Sequence, residues 1–272
     1  MVATVRSVFV DAEAAAGRLG QIRRMLDAAE TTAGLAGDGL VPMTLGISRI
    51  DATLGGGLGR GALHEITAVR EPEIAAASSF ALALAIRHHG CAPRRDTIWI
   101  TEDLALAENG APYGPGLAET GMAPERLITI AAARGRDVLW AMEEALRCRA
   151  VGTVIGELRA RTIDPVVTRR LSLAAAAGGT LGLVLRPVPD EAPFAAVTRW
   201  IIGAAPSMPA RREAKSGSGP PRLIAHLVRN RRGPLGTWIV EWNSVEQRFE
   251  LAAHPESVAA AVFDRPHCAA VA

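Results

Sequence analysis

Residues 45–69 form a glycine-rich turn that leads into a short apolar stretch, LGISRIDATLGGGLGRGALHEITAV. In a phosphate-binding loop, glycines let backbone N–H groups approach phosphates, a lysine reaches the β- and γ-phosphates, and a hydroxyl binds Mg²⁺. The segment that follows, residues 70–90, reads REPEIAAASSFALALAIRHHG and contains no Gly-Lys-Ser/Thr. The single lysine of the chain, Lys215, lies far away. The pattern indicates a nucleotide-binding architecture that has lost its nucleotide chemistry.

ATP binding at this point would require other residues to take over the missing roles. Ser78 or Ser79 would have to hold Mg²⁺, and Arg70 would have to replace the lysine. Arginine is a wide, planar group and does not substitute cleanly for a point charge on phosphate. Glu71 and Glu73 would also repel the phosphates. We therefore expect an ordinary connection between a strand and a helix, no catalytic residue and no cofactor, with ATP disfavoured.

Three acidic residues follow apolar stretches that predict buried strands. Glu102 and Asp103 come after residues 97–101, and Glu157 directly follows the stretch VGTVIG, residues 151–156. Carboxylates at the carboxyl ends of parallel strands commonly line ligand crevices, so these residues are candidates for a nucleotide site. The alternative interpretation is that Asp103 caps the N-terminus of a helix.

The strongest basic cluster is formed by Arg229, Arg231 and Arg232. Strand alternation would place Arg229 and Arg231 on one face, where bidentate hydrogen bonds to phosphate become available. A second group, Arg211, Arg212 and Lys215, lies among serines, glycines and prolines in residues 206–221, a pattern typical of a flexible loop. Both groups predict contact with nucleic acid or with another subunit, and charge on an exposed strand edge is the alternative for the first.

Metal and disulfide chemistry receive little support. His88, His89 and Cys91 lie close together, but no second cluster with matching spacing completes a set of four ligands, so we expect no metal site. The three cysteines are widely spaced, which suits reduced thiols in the cytosol. The start of the chain lacks the apolar core of a secretory signal, and the longest uncharged run is shorter than the ~18 residues of a membrane span. These features predict a soluble, cytoplasmic protein with no membrane contact.

Strands alternate with helical segments through the middle of the chain, a pattern typical of a parallel sheet with helices on both faces. After Pro187 the pattern changes, since residues 195–205 predict an antiparallel strand, and residues 222–230 and 236–242 alternate like a hairpin. We predict an α/β fold with a mostly parallel sheet, an N-terminal helix and a C-terminal antiparallel extension. The other predicted strands are residues 63–68, 97–101, 127–130, 151–156 and 180–186, and the predicted helices are residues 75–89, 136–149 and 164–177.

The N-terminal region predicts an amphipathic helix over residues 12–30. Its apolar face consists of Leu19, Ile22, Met25 and Leu26, which makes it a candidate for docking in the groove of a partner. We divide the chain into an N-terminal helix and linker, a core and an alanine-rich tail, at residues 1–40, 41–253 and 254–272.

The order of these segments resembles the core of the RecA recombinase family. The resemblance covers roughly residues 12–250 and is carried by LGQI (19–22), the glycine-rich turn from Ser48 to Ile66, WITEDLALAENG (99–110) and LVRNRRGP (227–234). In that family the third of these stretches carries the catalytic glutamate, and the fourth reaches the nucleotide of a neighbouring subunit. The departure lies in residues 69–79, which contain no lysine and no glycine where the family has its phosphate loop.

A RecA-like chain with an eroded phosphate loop is similar to the family of the damage-inducible mutagenesis protein ImuA. The resemblance implies a non-catalytic role in SOS-induced translesion DNA synthesis. It also implies three partners: an inactive Y-family polymerase homologue, RecA itself and an error-prone C-family polymerase. An atypical ATP-dependent, DNA-binding recombinase and a damage-induced regulator of cell division remain as alternatives, and direct DNA binding stays open.

Overall fold

In the described part of the chain, ten strands form one continuous sheet. The computed structural model describes residues 6–10, 41–92, 95–160, 162–190, 192–207 and 221–252. Across the sheet the strands follow the order β1-β4-β3-β5-β6-β2-β7-β8-β9-β10. The strands are β1 (Arg6–Val10), β2 (Leu63–Ala68), β3 (Asp96–Glu102), β4 (Leu127–Ala132), β5 (Val151–Glu157), β6 (Leu181–Arg186), β7 (Thr198–Ala205), β8 (Arg222–Asn230), β9 (Gly236–Asn243) and β10 (Arg248–Leu251).

The helices cover both faces of the parallel part of this sheet. Helix α2 packs on one face against β2, β5, β6 and β7, whereas α5 and α6 pack on the other. None of the helices in the described ranges is long and apolar enough to cross a membrane. The helices are α1 (Ser48–Thr53), α2 (Ile74–Cys91), α3 (Asp103–Asn109), α4 (Gly114–Thr120), α5 (Gly135–Arg147) and α6 (Pro165–Gly178), with short 3₁₀ turns at Glu71–Glu73 and Pro124–Arg126.

The predicted α/β class is confirmed, including the mostly parallel sheet and the antiparallel C-terminal strands β8–β10. One strand differs from its prediction. β7 was expected to be antiparallel, but it pairs in parallel with β2, with His64 opposite Thr198 and Ala68 opposite Ile202. Its antiparallel partner is β8 on the other side. The parallel sheet is therefore one strand wider than predicted, because the segment between β6 and β7 returns to the starting end of the sheet.

Local sequence accounts for the main elements. β5 is buried along nearly its whole length, as expected for a strand covered by helices on both faces. In α5 the buried residues Val138, Met142 and Leu146 recur at helical spacing. Helix α6 begins after Asp164, whose carboxylate accepts a hydrogen bond from Val166 N at 2.8 Å. Its first residue is a proline, which has no N–H group and so leaves no donor unpaired at that position.

The antiparallel extension is joined to the parallel core by aromatic side chains. Phe80 of α2 lies between Trp200 of β7 and Phe249 of β10, with ring centroids 5.5 Å and 5.2 Å away. All three rings are buried, so this cluster removes a large apolar area from water. Because the cluster contains residues from a helix and two distant strands, the described C-terminal strands share one core with the parallel sheet.

Several elements were not predicted from the sequence. β1 pairs in parallel with β4 at one edge of the sheet, although it lies within the N-terminal region that the sequence assigns to a helix and linker. The short helices α1 and α4 and the four-residue strand β10 were also missed, since short elements offer few repeats of any period. The predicted helix over residues 12–30 and the alanine-rich tail lie outside the described residues.

Candidate functional site

The connection between β2 and α2 lies where a phosphate-binding loop would be expected. It spans residues 69–73, and the helix begins directly after the 3₁₀ turn. Arg70 donates to Glu73 Oε1 from Nε at 2.8 Å and from Nη2 at 2.5 Å. Glu73 Oε2 accepts a hydrogen bond from Ala204 N at 2.9 Å, which ties the connection to β7. The connection therefore presents a carboxylate at the start of α2, which opposes phosphate binding there.

Arg70 does not occupy the position that a phosphate-binding lysine would need. Its side chain is 74% exposed and is directed to the carboxylate of Glu73. Ser79 Oγ donates to the backbone carbonyl of Ala75 at 2.8 Å, within its own helix. Ser78 and Ser79 nevertheless line a cavity at this end of the sheet.

The three predicted carboxylates lie at the carboxyl ends of the neighbouring strands β3 and β5, but they do not converge. Glu102 faces the start of α5 and accepts a hydrogen bond from Arg159 N at 2.9 Å. Glu157 faces the other side of the sheet and accepts from Trp99 Nε1 at 3.1 Å. Strand alternation separates the two carboxylates onto opposite faces. They are hydrogen-bonded within the fold, which favours structural roles.

Asp103 is the first residue of α3. The helix cap is Glu102, whose side chain makes no capping hydrogen bond, so the predicted capping by Asp103 is wrong. Asp103 Oδ1 is buried and has no hydrogen-bond partner among the described residues. The strand continues one residue further than predicted and carries Glu102 into the capping position.

A cavity of about 570 Å³ lies between α2 and the carboxyl ends of β3 and β5. The chain continues from β3 to β4 on one side and from β5 to β6 on the other, so this is a topological switch point. Thr101 lines the cavity, and its buried Oγ1 has no partner among the described residues. The lining residues are Ile74, Ala75, Ser78, Ser79, Leu82, Trp99, Thr101, Ala105, Leu106, Asn109, Gly110, Ala111, Pro112, Tyr113, Gly116, Leu117 and Glu157.

The residues that line this cavity carry little charge. None of its lining residues is arginine, lysine or histidine, and the one charged lining residue is Glu157. Phosphate oxygens would meet no cationic side chain among these lining residues. The cavity brings together Ser78, Ser79 and Glu157 from the predicted nucleotide site and leaves out Arg70.

The glycine-rich turn serves packing in this fold. Gly57 has a φ of 134°, and a Cβ at this position would lie 2.4 Å from the carbonyl oxygen of Met43. Met43 and Leu58 form an antiparallel bridge at this point, so the glycine permits a close backbone approach. The turn is also fastened to β2, since His64 Nε2 lies 2.9 Å from the carbonyl oxygen of Gly59.

The basic turn between β8 and β9 separates its arginines. Arg232 packs against the glycine-rich turn, with its Nη1 3.3 Å from the position of a Cβ at Gly59. Asn230 Nδ2 fastens this turn by donating to the carbonyl oxygen of Thr53 at 2.8 Å. Arg229 and Arg231 instead line a second cavity, described next.

The second cavity has a volume of about 460 Å³ and lies between α6, the β6–β7 connection and the end of β8. We call it the arginine groove. Arg229 donates from Nη1 to the carbonyl oxygen of Phe194 at 2.7 Å. Burial lowers the pKa of Arg229 below its ordinary value, and the positive charges of Arg231 and Arg199 add to this effect. Its lining residues are Pro165, Thr168, Arg169, Ser172, Leu173, Pro193, Phe194, Ala195, Arg229 and Arg231.

A buried ionic cluster behind the arginine groove was missed in the sequence. Glu65 of β2 is fully buried and accepts hydrogen bonds from Arg186 Nη1 at 2.8 Å and from Arg199 Nε at 2.5 Å. Arg186 also reaches Asp190 Oδ2 at 3.2 Å, and Arg199 Nη1 donates to the carbonyl oxygen of Asp190 at 2.6 Å. The available signal was a glutamate inside a predicted strand, residues 63–68. Its partners come from other strands and could not be paired with it from the sequence.

Two buried histidines fasten other elements. His64 Nδ1 lies 2.7 Å from Thr198 Oγ1, and burial lowers its pKa to about 4. His88 Nε2 accepts a hydrogen bond from Arg60 Nε at 3.1 Å, and burial, followed by the charge of Arg60, lowers its pKa to about 3. Within the residues that the structure describes, no group of three or more histidine, cysteine or acidic side chains is arranged to hold a metal ion.

The remaining predicted contact residues lie outside the described ranges. They are the loop residues Arg211, Arg212 and Lys215 and the helix residues Leu19, Ile22, Met25 and Leu26.

A scan against known protein families finds no match to this chain, and a search of curated proteins also finds none. A functional proposal therefore depends on the strand order, on the site geometry and on the resemblance of the sequence motifs to the RecA recombinase family.

Proposed function

We propose that this protein is a non-catalytic, RecA-like accessory protein of SOS-induced translesion DNA synthesis. In this role it would act as an adaptor for an inactive Y-family polymerase homologue, for RecA, or for both. The observation that carries the proposal is the closed connection between β2 and α2. The Arg70–Glu73 ion pair and the hydrogen bond from Ala204 N to Glu73 lie in this connection and support the proposal.

Two further observations support the absence of nucleotide chemistry. The cavity at the switch point is lined by no basic residue, so four negative charges on a triphosphate would be left without cations. Glu102 and Glu157 lie on opposite faces and accept hydrogen bonds from the fold. A general base needs a reacting group within hydrogen-bond reach, and this arrangement offers none.

The damage-response context of the proposal rests on the RecA-like and ImuA-like motifs. The strand order keeps a continuous parallel sheet, and β8–β10 extend it, so surfaces for protein contact remain after loss of the nucleotide site. The predicted helix over residues 12–30 supplies a docking element with an apolar face.

Excess Mg-ATP should leave the thermal unfolding temperature of the purified protein unchanged. A ligand at 100 times its dissociation constant would add about 2.7 kcal/mol to the free energy of unfolding, which a melting curve detects readily. The rate of ATP hydrolysis should equal that of the Ser78→Ala/Ser79→Ala variant. A protein with an intact phosphate loop, melted in parallel, serves as the positive control. Mg²⁺-dependent stabilisation that this double variant loses would contradict the proposal and support the atypical recombinase.

Adaptor function should depend on the apolar face of the N-terminal helix. We expect Ile22→Asp/Leu26→Asp to abolish capture of the inactive Y-family polymerase homologue from DNA-damaged cells, with partners identified by mass spectrometry. Arg24→Gln lies on the side of the predicted helix opposite these residues and should capture as well as the original chain. Point substitutions are preferable to deletion, because deleting residues 1–32 would also remove β1 from the sheet. Capture that survives the double substitution, or that recovers cell-division proteins instead, would contradict this assignment.

A further inference from the structure

The arginine groove combines positive charge with apolar walls. Arg169 is contributed by α6, and Arg229 and Arg231 are contributed by the end of β8. Leu173 forms part of the wall and is 62% exposed. Arg169 was not singled out from the sequence, because it joins the other two only through the packing of α6 beside β8.

The nearby carboxylates of Glu65 and Asp190 form their ion pairs with arginines that do not line the groove. Glu65 accepts hydrogen bonds from Arg186 and Arg199. The carboxylate of Asp190 accepts from Arg186, and the backbone carbonyl oxygen of Asp190 accepts from Arg199. No described acidic side chain forms an ion pair with Arg169, Arg229 or Arg231. An anion in the groove would therefore gain charge-assisted hydrogen bonds without displacing an existing ion pair.

The groove is also partly preorganised. Arg229 lies directly opposite Arg199 on neighbouring strands, and the carbonyl oxygen of Phe194 holds its guanidinium. Burial, followed by the like charges of Arg231 and Arg199, lowers the pKa of Arg229. Fixing a side chain before binding reduces the entropy lost on association, so an arriving anion meets one cation already in place.

We propose that the arginine groove binds an acidic peptide segment of a partner protein, in which carboxylates are followed by an aliphatic side chain. Clusters of arginines recognise acidic motifs through bidentate hydrogen bonds. Pro165, Leu173 and Pro193 supply an apolar wall for the aliphatic side chain. This inference goes beyond the proposed function and does not depend on it, because it concerns a surface on the opposite face from the cavity beside α2.

The shape and composition of the groove favour a peptide over a nucleic acid. Single-stranded nucleic acids bind to basic tracks interleaved with exposed aromatic rings. The one aromatic side chain that lines the groove, Phe194, is 4% exposed and cannot stack on a base. A volume of about 460 Å³ accommodates a few side chains and does not form a long track.

Fluorescence anisotropy with the purified full chain tests this proposal. The probe is a fluorescein-labelled peptide of repeated Glu-Glu-Leu units, and a labelled single strand of thymidines is measured in parallel. We expect saturable peptide binding that Arg169→Glu/Arg231→Glu weakens by at least about tenfold, as removal of two charge-assisted contacts implies. Leu173→Ser should weaken it by about threefold through lost apolar contact. Arg49→Glu/Arg136→Glu changes the net charge equally at exposed positions elsewhere and should bind like the original chain.

Arg169 and Arg231 are exposed, so the double variant should keep its fold, and a melting curve verifies this. Equal binding by the groove and control variants would overturn the proposal, as would absence of peptide binding. Tighter, groove-dependent binding of the thymidine strand would overturn it in favour of a nucleic-acid contact.

Discussion

Replacing Glu65 with glutamine should lower the free energy of unfolding by about 3–5 kcal/mol, the usual loss when one partner of a buried ion pair is removed. Glu65 is fully buried and accepts hydrogen bonds from both Arg186 and Arg199. Arg186 is itself only 1% exposed. Glutamine keeps the shape of the side chain but removes its charge, so two guanidinium groups would remain in the interior with one carboxylate, Asp190, beside Arg186.

Urea unfolding followed by circular dichroism measures this loss, with Glu108→Gln as the matched control. Glu108 pairs with Arg159 at the surface, where both side chains are partly exposed. Exposed pairs contribute about 0–1 kcal/mol, so the control should change the midpoint little. Losses of similar size in the two variants would show that the Glu65 cluster is not the stabilising feature inferred from its burial.

Glu65→Gln should also weaken ligand binding in the arginine groove, in addition to lowering the free energy of unfolding. Arg199 donates to the carbonyl oxygens of Asp190 and Ala192 and so fastens the β6–β7 connection. The next residues of that connection form one wall of the groove. Binding of the acidic peptide should therefore weaken in Glu65→Gln at temperatures where the variant is still folded.

Acidification from pH 6.5 toward pH 4 should destabilise the folded protein steeply. His64 and His88 have folded-state pKa values of about 4 and about 3, below the ordinary value of 6.5. Above pH 6.5 both histidines are neutral in the folded and in the unfolded chain, so they do not change the free energy of unfolding with pH. Between pH 6.5 and about 4 the unfolded chain binds protons that the folded chain excludes. In this range each of the two histidines lowers the free energy of unfolding by about 1.4 kcal/mol for every pH unit of acidification.

Burial is the main reason why the pKa values of these two histidines are lowered, and the hydrogen bonds fix which ring nitrogen carries the proton. Gly59 offers a carbonyl oxygen to His64 Nε2, so this nitrogen carries the proton, and Nδ1 accepts from Thr198. Arg60 donates to His88 Nε2, which must therefore remain unprotonated. A proton added to either ring would place a positive charge in the interior. At His88 Nε2 this proton would also point at the N–H group of Arg60.

Equilibrium unfolding in urea at pH 7, 6 and 5 tests this prediction, because most carboxylates remain ionised in that range. His88→Gln should give a shallower dependence than the original chain, by about the share of one histidine. A free energy of unfolding that is the same at pH 5 and pH 7 would show that the buried rings are protonated in the folded state.

Sequence alone determined the features that depend on neighbouring residues. The apolar stretch of β5 and the repeat of Val138, Met142 and Leu146 in α5 are local patterns, and the predicted elements lie within a few residues of those observed. The missing Gly-Lys-Ser/Thr is also a local fact. It led to the expectation of an ordinary strand–helix connection, and in the structure residues 69–73 join β2 to α2 through one 3₁₀ turn.

The tertiary structure decided the features that depend on which strands lie side by side. Whether β7 is parallel or antiparallel depends on the path of the chain after β6, which no residue period encodes. Glu65 meets Arg186 and Arg199 because β2 lies between β6 and β7. Arg169 joins Arg229 and Arg231 through the packing of α6. Glu102 and Glu157 lie on neighbouring strands at the same edge of the sheet, but their side chains point to opposite faces and do not form one site. Such contacts join residues far apart in sequence, and their partners become identifiable once the sheet order is known.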